Sequence, residues 1–539
     1  MAEIPPDRLS LVVGVTGHRD IAADNEAPLR AAFRRILEHL RQICPHTPQL
    51  VLSGLAAGAD SLAAEEAMAR DIPVIACLPM PKEEYEKDFS PEELDRFHGL
   101  YKRCARIIVT SPGREHGYVA TGRFIAQYSH LLVAFWDRVT SRGAGGTKDV
   151  IDMRMTGEPW LSEIENIPYL PDVGPVDVIV TPRINGPYPE EPFSVRRLYP
   201  KRMAHEETAA QNFNSTLAHI DIYNCDLSRV QATEKPSLET FMRRTDDVAN
   251  RLQKQTSRFQ LALFVIAFLA AAIQIIGHIP AIAKVVGLAA AFIAYWIARR
   301  HNYENRYQDY RAIAEGLRVQ NAWQGAGLRH RLVDKAYLRM QEGELQWIRM
   351  ALRSFYVVCC EGLEEHAARL SRSTWEGWIE SQIKYYDKAR RRERKLARSL
   401  SSISVSAIAV GVGCFIGAAI ALGKSFPCAL SLALCSQGVR RMPDFDLFQN
   451  LLTVPLAMAA ILGAVFAHYS EKQNLIGNER RYDRMFYVFV RARSELAAIE
   501  KGEAGTTQAV LYELGRAALI EHADWLIMRR DRPMKVVVV

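Results

Sequence analysis

Phe259–Ala298 reads FQLALFVIAFLAAAIQIIG, then HIP, then AIAKVVGLAAAFIAYWIA, and Lys284 is its single charge. A helix needs about 20 apolar residues to cross the hydrocarbon core of a bilayer. Phe259–Gly277 and Ala281–Ala298 are each near that length, and the His278-Ile279-Pro280 break is too short for a folded domain. The stretch predicts a helical hairpin that enters the membrane, turns and comes back. A hairpin buried in a soluble core is the alternative, but runs this long and uncharged are rare there. Arg251, Lys254 and Arg258 precede the hairpin, and Arg299-Arg300 follow it. The positive-inside rule therefore puts both ends in the cytoplasm. Tyr295 and Trp296 stand where an interfacial aromatic belt is expected.

Downstream, a polar and aromatic helix is expected from about His301 to Trp323, with Tyr303, Tyr307 and Tyr310 spaced for one face. Such a stripe is packing surface, toward neighbouring helices or another subunit. Residues 336–398 read as mainly helical and end in the dense run Arg390-Arg391-Arg392-Glu393-Arg394-Lys395. Leu400–Leu422 is a third uncharged span and Leu451–His468 a fourth, followed by Glu471, Lys472, Arg480, Arg481 and Arg484. Cys428 and Cys435 fall in the loop between them. They are either a disulfide, if the loop faces an oxidising compartment, or ordinary buried thiols. Glu304-x-Arg306-Tyr307 with Arg318 matches Glu479-x-Arg481-Tyr482 with Arg493, and Trp347 matches Trp525. Duplication of a two-span unit accounts for these matches; chance identities in Arg-rich helices are the alternative.

The 539 residues leave room for roughly three domains. With 24% charged and 49% hydrophobic residues the average is that of an ordinary soluble protein, but the apolar runs cluster between residues 259 and 468. The net charge of +7 is modest, and its basic excess lies beside those runs, which suggests membrane topology rather than nucleic-acid binding. The nine cysteines show no C-x-x-C pair, which argues against a structural zinc site. Met1–Asp7 is short and polar, unlike a secretory signal, so the N-terminal part is expected in the cytoplasm.

That part reads as a doubly wound α/β domain. Leu9–Thr16, Leu50–Leu52, Ile72–Leu78, Ile107–Val109 and Leu131–Phe135 are apolar strand runs, and residues 28–43 and 61–70 have helical character. Fully apolar strands alternating with helices indicate a parallel sheet covered on both faces. Ligands of such sheets bind beyond the carboxyl ends of the strands. The candidate residues are therefore those of the strand-end loops: Thr16, Gly17, His18 and Arg19; Ser53, Gly54, Gly58, Ala59 and Asp60; and Trp136, Asp137, Gly145, Gly146 and Thr147. The glycines admit backbone N–H groups to an anion, and Arg19 adds a charged donor. Trp136 or Tyr85 can stack on a base. Small residues that simply permit tight strand-to-helix packing are the alternative at any one loop. Val176–Val180 is a further strand, Asn185–Pro192 a proline-rich loop, and residues 205–258 turn helical and basic.

Val15-Thr16-Gly17-His18-Arg19, Ser53-Gly54-x-Ala56-x-Gly58-Ala59-Asp60 and Gly145-Gly146-Thr147 resemble the SLOG superfamily, Rossmann-like domains related to the DNA-processing protein DprA and the LOG phosphoribohydrolases. The resemblance covers residues 9–152 and implies a sensor or processor of nucleotide derivatives. LOG enzymes follow their glycine loop with a catalytic glutamate. Here Thr147 is followed by Lys148-Asp149, which favours binding over N-glycosidic hydrolysis. The hairpin with its long amphipathic helix is similar to the SLATT two-transmembrane effectors that associate with SMODS and SLOG proteins. That likeness spans residues 245–539 as two copies, on Glu304-x-Arg306-Tyr307 and on Ala517–Arg532 with Trp525.

The expected organisation is a SLOG-like domain at 8–200, a helical linker at 201–258, and two-span modules at 259–398 and 399–539. Resemblance to these families implies a multi-pass protein of the bacterial inner membrane with both termini cytoplasmic. It would act in anti-phage conflict as a homo-oligomeric pore gated by a phosphorylated nucleotide signal, with membrane lipid as its other partner. Neither a cofactor, a metal nor a nucleic acid is expected. A membrane-anchored nucleotide- or NAD-processing enzyme is the second reading, although no convincing acid–base pair stands out; a scaffold whose head has lost its ligand is the third.

Overall fold

Leu11–Gly17 (β1) is a β-branched run whose first five residues are fully covered, and the sheet grows from it in both directions. Gln49–Ser53 (β2), Val74–Leu78 (β3), Arg106–Val109 (β4), Leu131–Trp136 (β5), Val176–Val180 (β6) and Val195–Leu198 (β7) complete seven strands in the order β4-β3-β2-β1-β5-β6-β7. All pairings are parallel except β6 with β7. Helices Ala23–Ile43 (α1), Ala59–Met68 (α2), Lys82–Tyr85 (α3), Pro91–Tyr101 (α4), Arg114–Tyr128 (α5) and Thr147–Thr156 (α6) form the connections. Leu29, Phe33, Ile36, Leu37 and Leu40 make one buried stripe on α1, the periodicity that marks a helix packed on a sheet. The expected parallel α/β domain is present, with an antiparallel edge strand added.

The computed structural model describes residues 2–5, 8–139, 145–157, 173–200, 206–230, 238–275, 280–301, 303–328, 333–338, 343–359, 372–433, 458–463, 470 and 474–531. Beyond the sheet the chain is helical: Glu206–Leu227 (α7), Leu238–Ile275 (α8), Ala281–His301 (α9), Tyr303–Gly325 (α10), Gln346–Cys359 (α11), Arg372–Ala433 (α12), Leu475–Glu500 (α13) and Thr507–Arg530 (α14). It forms two compact units, Met1–Val248 with Asp309–Thr374, and Ala249–Gln308 with Trp375–Val539.

The first unit is larger than the sequence segments suggested. The segment read as a linker contains α7, whose Asn224 accepts from the Leu9 N–H at 2.8 Å and donates to the Leu9 carbonyl at 2.9 Å. Helix α11, assigned by sequence to the first membrane module, donates from Ser354 to the Ser10 carbonyl at 2.7 Å and stacks Trp347 on His219. Tyr223, Tyr310, Trp347 and Phe355 are buried together, an aromatic cluster that neither segment could cover alone.

In the second unit α12 and α13 run antiparallel, as Arg390–Asp483 at 2.7 Å and Arg394–Glu479 at 2.6 Å show. Helix α14 returns along α13 through Arg481–Glu521 at 2.8 Å. Among the described residues one helix is long and apolar enough to cross a membrane, within Arg372–Gly413. Only 11% of its apolar window is buried, whereas a core helix is mostly covered. Among the described side chains of α9, Ile282 is 78% and Phe292 67% exposed. Most of the expected fourth span, Leu451–His468, and Cys435 lie outside the described residues, as do His278 and Ile279 of the hairpin turn; Cys428 falls within α12.

Candidate functional site

Strands β1 and β5 are neighbours, yet their connections leave in opposite directions, one toward β2 and the other toward β6. A crevice must open where the chain parts in this way, beyond the carboxyl ends of the two strands. A cavity of about 720 Å³ lies there, within the range of small-molecule sites. Thr16, Gly17, His18 and Arg19 after β1, Gly54 and Asp60 after β2, Trp136 at the end of β5, and Gly145, Gly146 and Thr147 at the start of α6 all line it. The spacing of strand-end loops in the sequence thus brings three separate segments to one place. Thr140–Ala144, the first part of the β5–α6 loop, lie outside the described residues.

The remaining candidates support the cleft from behind. Ser53 is fully buried; its hydroxyl donates to the Asp60 carbonyl at 3.0 Å and accepts from the Leu55 N–H at 3.1 Å, fixing the β2–α2 turn. Gly58 has φ +78°, and a Cβ there would strike the carbonyls of His18 and Arg19. Ala59 donates its N–H to the His18 carbonyl at 3.0 Å, and Ser61 donates to Ala56 at 3.1 Å. The first donors of α2 are therefore largely used to lock this turn to the end of β1, so this loop is packing more than phosphate cradle. At α6, Gly146, Thr147 and Lys148 face the cleft, and the Asp149 carboxylate of the first turn accepts from the Gly145 N–H at 2.9 Å. Its N-terminus faces the cleft, but a bound anion there would share it with Asp149.

Asp137 donates its N–H to His18 Nε2 at 3.1 Å, and its carboxylate accepts from Val139 at 3.0 Å and from Arg183 at 3.3 Å. Burial pushes the Asp137 carboxyl up, but the Val139 amide, His18 and Arg183 outweigh it and hold the group below the usual carboxylate range. Burial lowers the His18 pKa against the pull of Asp137, whose Oδ1 also lies 3.1 Å from Nε2. Tyr85 is not a stacking platform. It is buried against Phe89 and Phe97, and its hydroxyl donates to the Gly54 carbonyl at 3.1 Å. Trp136 is half-buried and tethered through its Nε1 to the Val139 carbonyl at 2.9 Å, so its ring is the one available to a base.

Asp20, Asp88, Arg114, Tyr118, Lys148 and Arg183 also line the cleft and were not singled out from sequence. Arg114 and Tyr118 follow β4 on one face of α5, and Arg183 follows β6; the strand-end rule that selected the other loops reaches them when applied to every parallel strand. Most of these charges are already paired. Arg183 binds Asp20 at 2.8 Å, Arg114 binds Asp88 at 2.7 Å, Lys148 binds Asp152, and Tyr118 donates to Asp88. Among the described lining residues Arg19 is the cation without an ion pair; its guanidinium lies over the Tyr118 ring, 5.3 Å from the centroid. Asp60 is 8% exposed, and its Oδ1 has no hydrogen-bond partner. Burial raises its pKa to about 7, against the opposing attraction of Arg19. The cleft thus holds a cation that makes no ion pair but attracts Asp60 and meets the Tyr118 hydroxyl, one unsatisfied acceptor, and the N-terminus of α6.

A family model described as a protein of unknown function (DUF4231) matches residues 241–324, which span most of α8, all of α9 and nearly all of α10. A search of curated proteins found no match.

Proposed function

We propose that this cleft binds a phosphorylated nucleotide-type signal and that the bound state gates the apolar helices as a membrane effector. The observation that carries the reading is Arg19, which makes no ion pair, beside the buried Asp60 whose Oδ1 has no hydrogen-bond partner, in a cleft at the β1–β5 switch point. A nucleotide offers an anion to Arg19 and the α6 N-terminus, a base to Trp136, and hydroxyl or amino donors to Asp60. The SLOG-like motifs line or brace this cleft, which supports the resemblance. Exposed apolar side chains on α8, α9 and α12 support insertion of that part of the chain in a bilayer, as a multi-pass protein of the bacterial inner membrane. Helices α8 and α10 each have residues in both compact units, so the chain that carries the cleft continues directly into the apolar helices. Two two-span modules are few for a pore, so the active form is a homo-oligomer. A ligand drives the change only by binding the open arrangement more tightly than the resting one. A role in anti-phage defence rests on the SLOG and SLATT resemblance.

The test is leakage from vesicles holding the full chain, with candidate nucleotides added. Arg19→Ala should weaken ligand-triggered leakage by about 10- to 100-fold, the loss expected for a charged hydrogen bond, while the protein remains in the vesicles. Unchanged leakage sinks the proposal. The near-neutral Asp60 carboxyl favours a second reading, an anchored nucleotide-processing enzyme using it as acid or base. Steady turnover of the triggering nucleotide, abolished by Asp60→Asn, selects that reading.

A further inference from the structure

Arg392, Lys395 and Arg398 stand among the last charges on α12 before its apolar stretch, with one acid, Glu393, in the same run. The cations interleaved with them are neutralised: Arg390 by Asp387 and Asp483, Arg391 by Asp387, and Arg394 by Glu479. Arg392, Lys395 and Arg398 are exposed; Glu393 beside them is half-buried and attracts Arg392, while Lys395 and Arg398 make no ion pair among the described residues. Arg480 on α13 is also exposed without one, and the antiparallel pairing of Glu479 with Arg394 sets it at the same level. Directly beyond Arg398 the side chains turn apolar yet stay open to solvent, Ile403, Val405, Ile408 and Val410 among them. Arg392 to Arg398 rises about 9 Å along the helix, comparable to one headgroup layer, roughly 5–8 Å thick, bordering a hydrocarbon core. Helix α8 repeats the arrangement: Lys254 and Arg258, one turn apart, are exposed and without an ion pair just before the exposed Leu261.

We infer that this cationic collar selects anionic phospholipid headgroups over zwitterionic ones. The inference rests on α12 entering a bilayer. A soluble polyanion matches the charges but leaves the adjoining apolar stretch in water; an anionic bilayer meets both at once. Neutral lipid satisfies the apolar stretch and leaves a net excess of cations without counter-charge, an electrostatic difference that grows with each Lys or Arg near the surface.

The experiment offers the detergent-solubilised full chain an equimolar mixture of phosphatidylglycerol and phosphatidylcholine and counts retained lipids by native mass spectrometry. Phosphatidylglycerol should be retained preferentially. Neutralising the collar with R392Q, K395Q and R398Q together should cut that preference at least about tenfold, while R392K with R398K keeps it. All three side chains are exposed and none is in a salt bridge with another helix among the described residues, so the variants retain the fold. Equal retention of both lipids, an unchanged preference in the glutamine variant, or displacement of lipid by added oligonucleotide overturns the inference and leaves the cleft reading untouched. A chain that stays dissolved without detergent and retains neither lipid overturns the membrane reading along with it.

Discussion

At Asp60 a single carboxyl couples the cleft to pH. Its folded-state pKa is about 7 because burial disfavours the charge more than Arg19 restores it, whereas an unfolded aspartate titrates near pH 3.9. Between those values the folded protein holds a proton that the unfolded chain has released. Stability therefore falls as pH rises through that window and is level above it, by at most about 4 kcal/mol. Asp60→Asn should remove this part of the pH dependence: urea midpoints for variant and parent should agree at pH 4 and separate in favour of the variant by pH 8. Equal slopes for the two proteins would show that Asp60 is ionised throughout. The sequence marked Asp60, and it marked Gly58, but for a different reason. Gly58 was read as an opening for phosphate; its φ of +78° and the carbonyls of His18 and Arg19 behind it show a glycine required by packing.

At the scale of elements, α12 poses the sharpest alternative. Val410 is 64% exposed. On a helix in water a lysine there is harmless, but at the centre of a span it costs about 2.5–3.5 kcal/mol. Val410→Lys should move a measurable share of the protein out of the carbonate-washed membrane pellet, and an unaltered pellet fraction argues that this segment does not insert. Strand β7 shows the opposite limit of legibility. Its four residues include two arginines, and an exposed edge strand has no apolar period to read. It exists because Arg197 reaches the buried Asp177 on β6 through two hydrogen bonds, at 2.6 and 2.8 Å, so a polar residue inside an apolar strand needed a partner from the next one.

For the whole molecule, the first unit is assembled from two stretches separated by an excursion of the chain through Ala249–Gln308. Trp347 lies on the far side of that excursion, is 1% exposed, and packs on His219, Tyr223 and Tyr310. Trp347→Ala should destabilise the sheet-containing unit by about 3–5 kcal/mol, the usual cost of deleting a large buried aromatic. Denaturant unfolding followed by the near-ultraviolet circular dichroism of the full chain would report it. A loss under 1 kcal/mol would mean that α11 contributes little to the core.

Local order was enough to determine much of this chain. Apolar β-branched runs such as Leu11–Val15, separated by helical periods, dictate a parallel sheet, and uncharged runs such as Leu400–Leu422 stand out at any distance from their neighbours. The strand-end loops followed, because their place is set by the direction of the strands. Only the folded arrangement revealed that Arg183 and Asp20 meet across the cleft, that Tyr85 is core rather than platform, and that α11 belongs with the sheet. Periodicity reports which face of an element must be covered; which distant segment covers it, and which charges find partners there, depends on contacts that a linear sequence does not contain.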